Sequence, residues 1–95
     1  MPTYDWETLF INEFKRLSVP DQALFLSAMR QMVRDVKAKR PFHPKLRVKS
    51  VTDHPGLFEL SWAPNGRAPF VYEPEQKARE AHVIWQRIGG HEIFK

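Results

Sequence analysis

The sequence predicts an α+β domain, a two-helix hairpin packed on a twisted, mainly antiparallel four-stranded sheet in the order α-α-β-β-β-β. Three observations carry that expectation. Apolar residues recur at helical spacing through the first forty positions, the period falls to two from Lys45 onward, and Pro and Gly cut the second half into short segments. With 95 residues the chain is long enough for a single two-layer core, so residues 1–95 are read as one domain with one site, the helical hairpin at about 5–40 and the sheet at about 45–94.

Asp5 is the expected N-cap of the first helix, followed by Trp6, Leu9, Phe10, Phe14 and Leu17 on one stripe and by Glu7, Glu13, Lys15 and Arg16 on the other face. A second helix starts at Ser18-Val19-Pro20-Asp21, where Ser18 and Asp21 have capping-box spacing and Pro20 suits the first turn. It is expected to run to about Lys39 with Leu24, Phe25, Ala28, Met29, Met32 and Val36 facing the core. Pro41 and Pro44 stop it and make residues 41–44 an extended link.

Lys45 to Val51 alternates basic and apolar residues and reads as a strand with Leu46 and Val48 turned inward and Lys45, Arg47 and Lys49 on one outer face. The turn Asp53-His54-Pro55-Gly56 leads to a strand over 57–62, with Phe58, Leu60 and Trp62 inward and Glu59 and Ser61 on the face of the basic row. Asn65-Gly66 is a hairpin turn, and Arg67 to Tyr72 follows as a strand in which Pro69 signals a bulge or an edge. Residues 73–81 read as a polar connection, and His82 to Ile88 as a strand covered on both faces. Gly89-Gly90 then re-aims the chain into His91 to Lys95. Trp62 and Trp85 are expected in the core.

The charge is a patch. Residues 36–52 hold Lys37, Lys39, Arg40, Lys45, Arg47 and Lys49 with no carboxylate, whereas the rest of the chain sets nine cations against eleven acidic groups. Clustered cations on one element suit a polyanion backbone, because each neutralised phosphate releases counterions. Protection of a sheet edge is the plainer explanation of the same pattern. With no cysteine, disulfide scaffolds and thiolate metal clusters are excluded. The four histidines are scattered, so neither a metal nor another cofactor is expected. Glycine-rich phosphate loops and Ser-His-Asp ordering are absent. No apolar run reaches membrane-span length and the opening residues lack the blocks of a signal peptide, so the expected location is cytoplasmic.

Leu46-Arg47-Val48-Lys49, Gly56-Leu57-Phe58-Glu59-Leu60, Gly66-Arg67-Ala68 with Tyr72, and His82-Val83-Ile84-Trp85 with Arg87-Ile88-Gly89 and His91 occur in an order and spacing that resembles the RelE/ParE superfamily of toxins, most closely its RelE-like branch. The likeness spans about residues 5–94. It implies the toxin of a type II toxin–antitoxin system, a metal-independent endoribonuclease that cuts mRNA at the ribosome, inhibits translation, and is restrained by a cognate antitoxin. Arg67 matches the family's third-strand arginine and is the candidate for phosphate stabilisation, with an ion pair to Glu59 as the structural alternative. Lys45, Arg47 and Lys49 match the basic strand that holds the RNA backbone. His91 is the candidate acid or base and Glu59 the second candidate base, while Arg87 either supports RNA or pairs with Glu92. The chain departs from familiar members in having no tyrosine after Tyr72 and in carrying Trp62 where an arginine is common.

Two other readings use the same fold. A ParE-like toxin would inhibit DNA gyrase by protein contacts, and a plain RNA-binding module would need exposed aromatic residues for base stacking. The convergence of cations with a titratable group favours the nuclease. The antitoxin is expected to shield the basic face with an acidic or amphipathic segment.

Overall fold

The computed structural model describes residues 3–76 and 80–90, with side chains at 4–72 and 83–90. The chain forms β1 (Thr3–Trp6), α1 (Thr8–Arg16), α2 (Val19–Lys37), a 3-10 turn (Pro44–Leu46), β2 (Lys49–Ser50), β3 (Leu57–Ala63), β4 (Gly66–Gln76), β5 (Glu80–Trp85) and β6 (Gly89–Gly90). The expected α+β architecture is present, and among the described residues the sheet has six strands rather than four. Its order is β1-β5-β4-β3-β2, with β6 beside the start of β4. All pairs are antiparallel except β1 with β5, where Thr3 to Trp6 lie opposite His82 to Trp85.

Strand β1 replaces the helix start expected at Asp5. Trp6 is in the strand, the Glu7 N–H donates to the Trp85 carbonyl (2.9 Å), and α1 begins only at Thr8 with Glu7 as N-cap. The second helix starts as its sequence indicates, the Ser18 hydroxyl accepting from the Asp21 N–H at 3.2 Å. Phe10, Phe25, Ala28 and Met32 reach the core, whereas Leu9 and Leu24 sit at the margins of their stripes, about half exposed.

The helices cover one face of the sheet. Phe25 meets the Trp85 ring edge-on with centroids 5.1 Å apart, and Phe70 approaches the same indole at 5.1 Å. Each such aromatic pair adds about 0.5–1.5 kcal/mol beyond its buried area. Leu60, Ala68 and Val83 complete the layer, and Trp62 and Trp85 are core residues as their alternation predicts.

The hairpin between β3 and β4 is tightened by a close approach. A Cβ on Gly66 would lie 2.5–2.8 Å from the Trp62 ring, so the indole rests against a position where only glycine fits. Strand β4 runs on to Gln76 through much of the stretch expected as a polar connection, and β5 ends at Trp85 rather than Ile88. Pro69 is in this central strand, not at an edge. Its carbonyl accepts from the Gln86 N–H (2.9 Å), and because N–H and C=O of one strand residue point the same way, the donor it lacks falls where β5 has ended.

The largest correction concerns the basic strand. Pro44–Leu46 is a 3-10 turn, Arg47 is left-handed (φ 48, ψ 42), and β2 contains only Lys49 and Ser50. Leu46 still enters the core and Val48 packs against it, so the apolar half of the alternation is satisfied by a turn.

Candidate nucleic-acid interface

The sheet face away from the helices is ordered by strand register. Lys49 lies opposite Glu59, Glu59 opposite Pro69, Ser61 opposite Arg67, and Arg67 opposite Gly89. Directly opposed residues share a face, so Lys49, Glu59, Ser61 and Arg67 project together. Glu59 is the hub: its Oε1 lies 3.4 Å from Lys49 Nζ and 3.9 Å from Arg67 Nε, and the residue is 7% exposed. The ion pair expected as the structural alternative for Arg67 is therefore formed, at the long end of its range.

Arg67 has a second structural task. Its Nη1 donates to the carbonyls of Gly66 (3.0 Å), Pro64 (3.3 Å) and Ala63 (3.4 Å), closing the hairpin turn. Among the described residues nothing accepts from Nη2. The guanidinium is thus oriented by Glu59 and the turn with one edge left over, an arrangement suited to a phosphate oxygen.

Although Lys45 and Arg47 are not on a strand, they still converge on Arg67. With Ser61, Trp62 and Arg67 they line an open cleft of about 230 Å³. Both cations are exposed, whereas Trp62 is 9% exposed. A larger concavity of about 530 Å³ lies among Trp6, Phe10, Ile11, Phe14, Phe25 and Leu26, but it is apolar and holds no group able to act as acid or base except the Lys15 ammonium.

Arg87 is engaged elsewhere. Its Nη2 and Nε donate to the two carboxylate oxygens of Glu13 on α1 (2.7 and 3.3 Å), and the Ile88 N–H donates to the same carboxylate (3.3 Å). The hydrogen bond that Arg87 donates to Glu13 raises its pKa beyond its already high ordinary value, outweighing partial burial. This clamp joins α1 to the chain leading into β6. His91 and Glu92 lie outside the described residues; the described chain reaches Gly90, paired with Gly66.

Two residues that matter to this region carried no sequence signal. Asp35, not singled out by the helix pattern, is 1% exposed, and His43, expected as part of an extended link, caps the basic turn with its ring. Among the described residues no three His, Asp or Glu side chains gather as a metal site would require, and no helix is long and apolar enough to cross a membrane.

No protein-family model matches the chain, and no curated protein matches its sequence. Solved structures do match. A copper-bound mutant toxin from Helicobacter pylori superposes with a TM-score of 0.66 at 17% identity over 100% of both chains. The RelB–RelE antitoxin–toxin complex from Methanococcus jannaschii gives 0.65 at 9% identity over 94% of this chain and 92% of that one. A YoeB/ParE toxin from Agrobacterium tumefaciens gives 0.67 at 13% identity, covering 96% and 99%. The chain shares its architecture with these solved toxins. More narrowly, the fold is the RelE-like one that the motifs in this sequence resemble.

Proposed function

We propose that this chain is the toxin of a type II toxin–antitoxin pair and acts as a metal-independent endoribonuclease on mRNA at the ribosome. One observation carries the reading: a buried carboxylate, Glu59, sits between Lys49 and Arg67 on an open sheet face beside a cleft that also holds Lys45 and Arg47. A salt bridge kept only for stability needs one cation, whereas a phosphodiester needs several around it.

RNA cleavage without a metal begins when the ribose 2′-oxygen loses its proton and attacks the adjacent phosphorus, displacing the 5′-oxygen, which must gain a proton. Glu59 takes the 2′ proton. The charge that grows on the non-bridging oxygens meets Arg67, already oriented by the turn carbonyls, so little reorganisation accompanies the reaction. Lys45, Arg47 and Lys49 hold the flanking phosphates. His91, directly after Gly90 in sequence, supplies the proton to the leaving oxygen. Arg87, tied to Glu13, supports the chain into β6.

The antitoxin reading draws on the neighbours solved with their antitoxins, RelB–RelE and DinJ–YafQ. An acidic or amphipathic segment laid over Lys45, Arg47 and Lys49 would neutralise the surface that RNA uses.

Expression of the chain alone, with mapping of new mRNA 5′ ends, tests the proposal. Growth arrest with codon-phased cuts supports it; arrest with intact messages favours a gyrase-type protein target instead, and absence of arrest and cuts contradicts a toxin.

A further inference from the structure

Between the last turn of α2 and the basic turn, the chain is tied by a relay that starts inside the protein. Helix α2 ends in two backbone bonds, Lys39 N–H to the Val36 carbonyl and Arg40 N–H to the Asp35 carbonyl (both 3.1 Å), with Lys39 left-handed at φ 55. The Asp35 side chain points into the protein and takes three donors. Gln31 Nε2 (3.0 Å) and Arg40 Nε (2.7 Å) bond to Oδ1, and the His43 backbone N–H bonds to Oδ2 (2.8 Å).

From His43 the relay continues outward. The imidazole Nδ1 accepts from the Lys45 N–H (3.1 Å), and the His43 carbonyl accepts from the Leu46 N–H (3.0 Å). The Arg47 N–H then closes on the Pro44 carbonyl (3.0 Å), which fixes Arg47 in its left-handed conformation. Buried Leu46 holds the turn from below. A turn of three residues with a left-handed exit has few hydrogen bonds of its own, so its direction depends on what fixes its entry.

We infer that Asp35 and His43 are positioning residues: the buried carboxylate fixes the His43 backbone, and the His43 ring caps the turn so that Lys45 and Arg47 converge on the Arg67 cleft where a phosphodiester backbone binds. The inference rests on the RNA reading of that cleft for its ligand. The relay itself runs from the buried Asp35 carboxylate to the backbone of Lys45 and Arg47, and uses no side chain of the cleft. It explains why a carboxylate occupies a core position of α2 within a segment otherwise free of acidic groups. It also explains how a turn can present the cations that a strand was expected to present.

Two measurements on the full chain test it. In amide hydrogen exchange, Asp35→Asn, which keeps the side chain's size but cannot accept on both oxygens, exposes the His43 and Lys45 amides to faster exchange, and His43→Ala does so at Lys45 alone. Unchanged protection in both variants overturns the relay whatever RNA does. In binding of a single-stranded RNA oligonucleotide at several salt concentrations, loss of two phosphate contacts lowers the slope of log affinity against log salt by about 1.4. Asp35→Asn and His43→Ala are expected to approach the reduced slope of a Lys45→Ala/Arg47→Ala double variant, and His43→Asn, whose side-chain oxygen can again accept from the turn, restores it. A simple loss of folded protein reduces the binding-competent fraction without changing the slope. Native slopes in Asp35→Asn and His43→Ala beside a reduced slope in the double variant overturn the positioning role. A native slope in the double variant overturns the RNA reading of the cleft and this inference with it.

Discussion

Lys49 and Glu59 stand directly opposite each other on β2 and β3, and the lysine Nζ reaches within 3.4 Å of a carboxylate oxygen that Arg67 also approaches. The two partners differ sharply in setting: the Lys49 side chain is 70% exposed and that of Glu59 9%. An ion pair with one end in water stabilises a fold by at most about 1 kcal/mol. Lys49→Ala is therefore expected to change unfolding free energy by less than that, while lowering the salt slope of RNA binding by about 0.7, the value for one phosphate contact on a single strand. Urea titration and salt-dependent binding on the same preparation separate the two effects.

Glu59→Gln keeps the shape of the hub and removes its ability to take a proton. Removal of a general base lowers a reaction rate by about 10²–10⁴-fold. Single-turnover cleavage is expected to fall by at least the lower figure, with RNA affinity held within a few-fold.

The approach of Trp62 to Gly66 makes Gly66→Ala a sensitive probe of the cleft wall. The added methyl would meet the indole at 2.5–2.8 Å, and the ring is core residue on its other side. Forced overpacking of this kind costs about 1–3 kcal/mol, read as a lowered midpoint in urea at unchanged m-value.

Asp35 sets an acid limit. Burial by itself raises its pKa, but the His43 N–H, Arg40 and Gln31 together outweigh that and hold it below the ordinary value of 3.8. A carboxyl group depressed in the folded state contributes stability that is full above its unfolded value and is lost as pH falls through the folded one. Native protein is expected to lose stability progressively below about pH 4, and Asp35→Asn to show a flatter acid limb with lower stability at pH 7, measured by urea unfolding across pH.

Lys39 occupies a left-handed position at the end of α2, where glycine carries no steric penalty. Lys39→Gly is expected to stabilise the chain by about 0.5–1 kcal/mol, a rise of a few degrees in thermal midpoint for a domain of this size.

The helices, the β3–β4 hairpin and the inward tryptophans were legible because they rest on local signals: capping spacing at Ser18 and Asp21, period-two alternation from Leu57, and Asn65-Gly66. What failed was non-local or was overridden. Strand β1 is four residues long and depends on a parallel partner some eighty positions away, so the capping character of Asp5 dominated its reading. The basic alternation at 45–49 had the period of a strand, but Pro44 and a left-handed Arg47 turned it into a 3-10 turn that satisfies the same inward positions. Arg87 finds Glu13 across 74 positions, and Asp35 finds its partners up to eight positions ahead, beyond any helical spacing. For the site, Glu59, Lys49 and Arg67 share a face by strand register; the alternation foretold this for Lys49 and Glu59, whereas Arg67 came from the family likeness, and its structural work on the turn carbonyls did not show in the sequence.

The most direct test of the central claim is single-turnover cleavage of a defined message on programmed ribosomes by purified native chain and by Arg67→Ala, with both checked for folding by circular dichroism. Native chain that cuts within codons in the presence of chelator, with a folded Arg67→Ala at least about 10²-fold slower, is the expected result. Equal cutting by the two folded proteins, or messages left intact by the native chain, would contradict it.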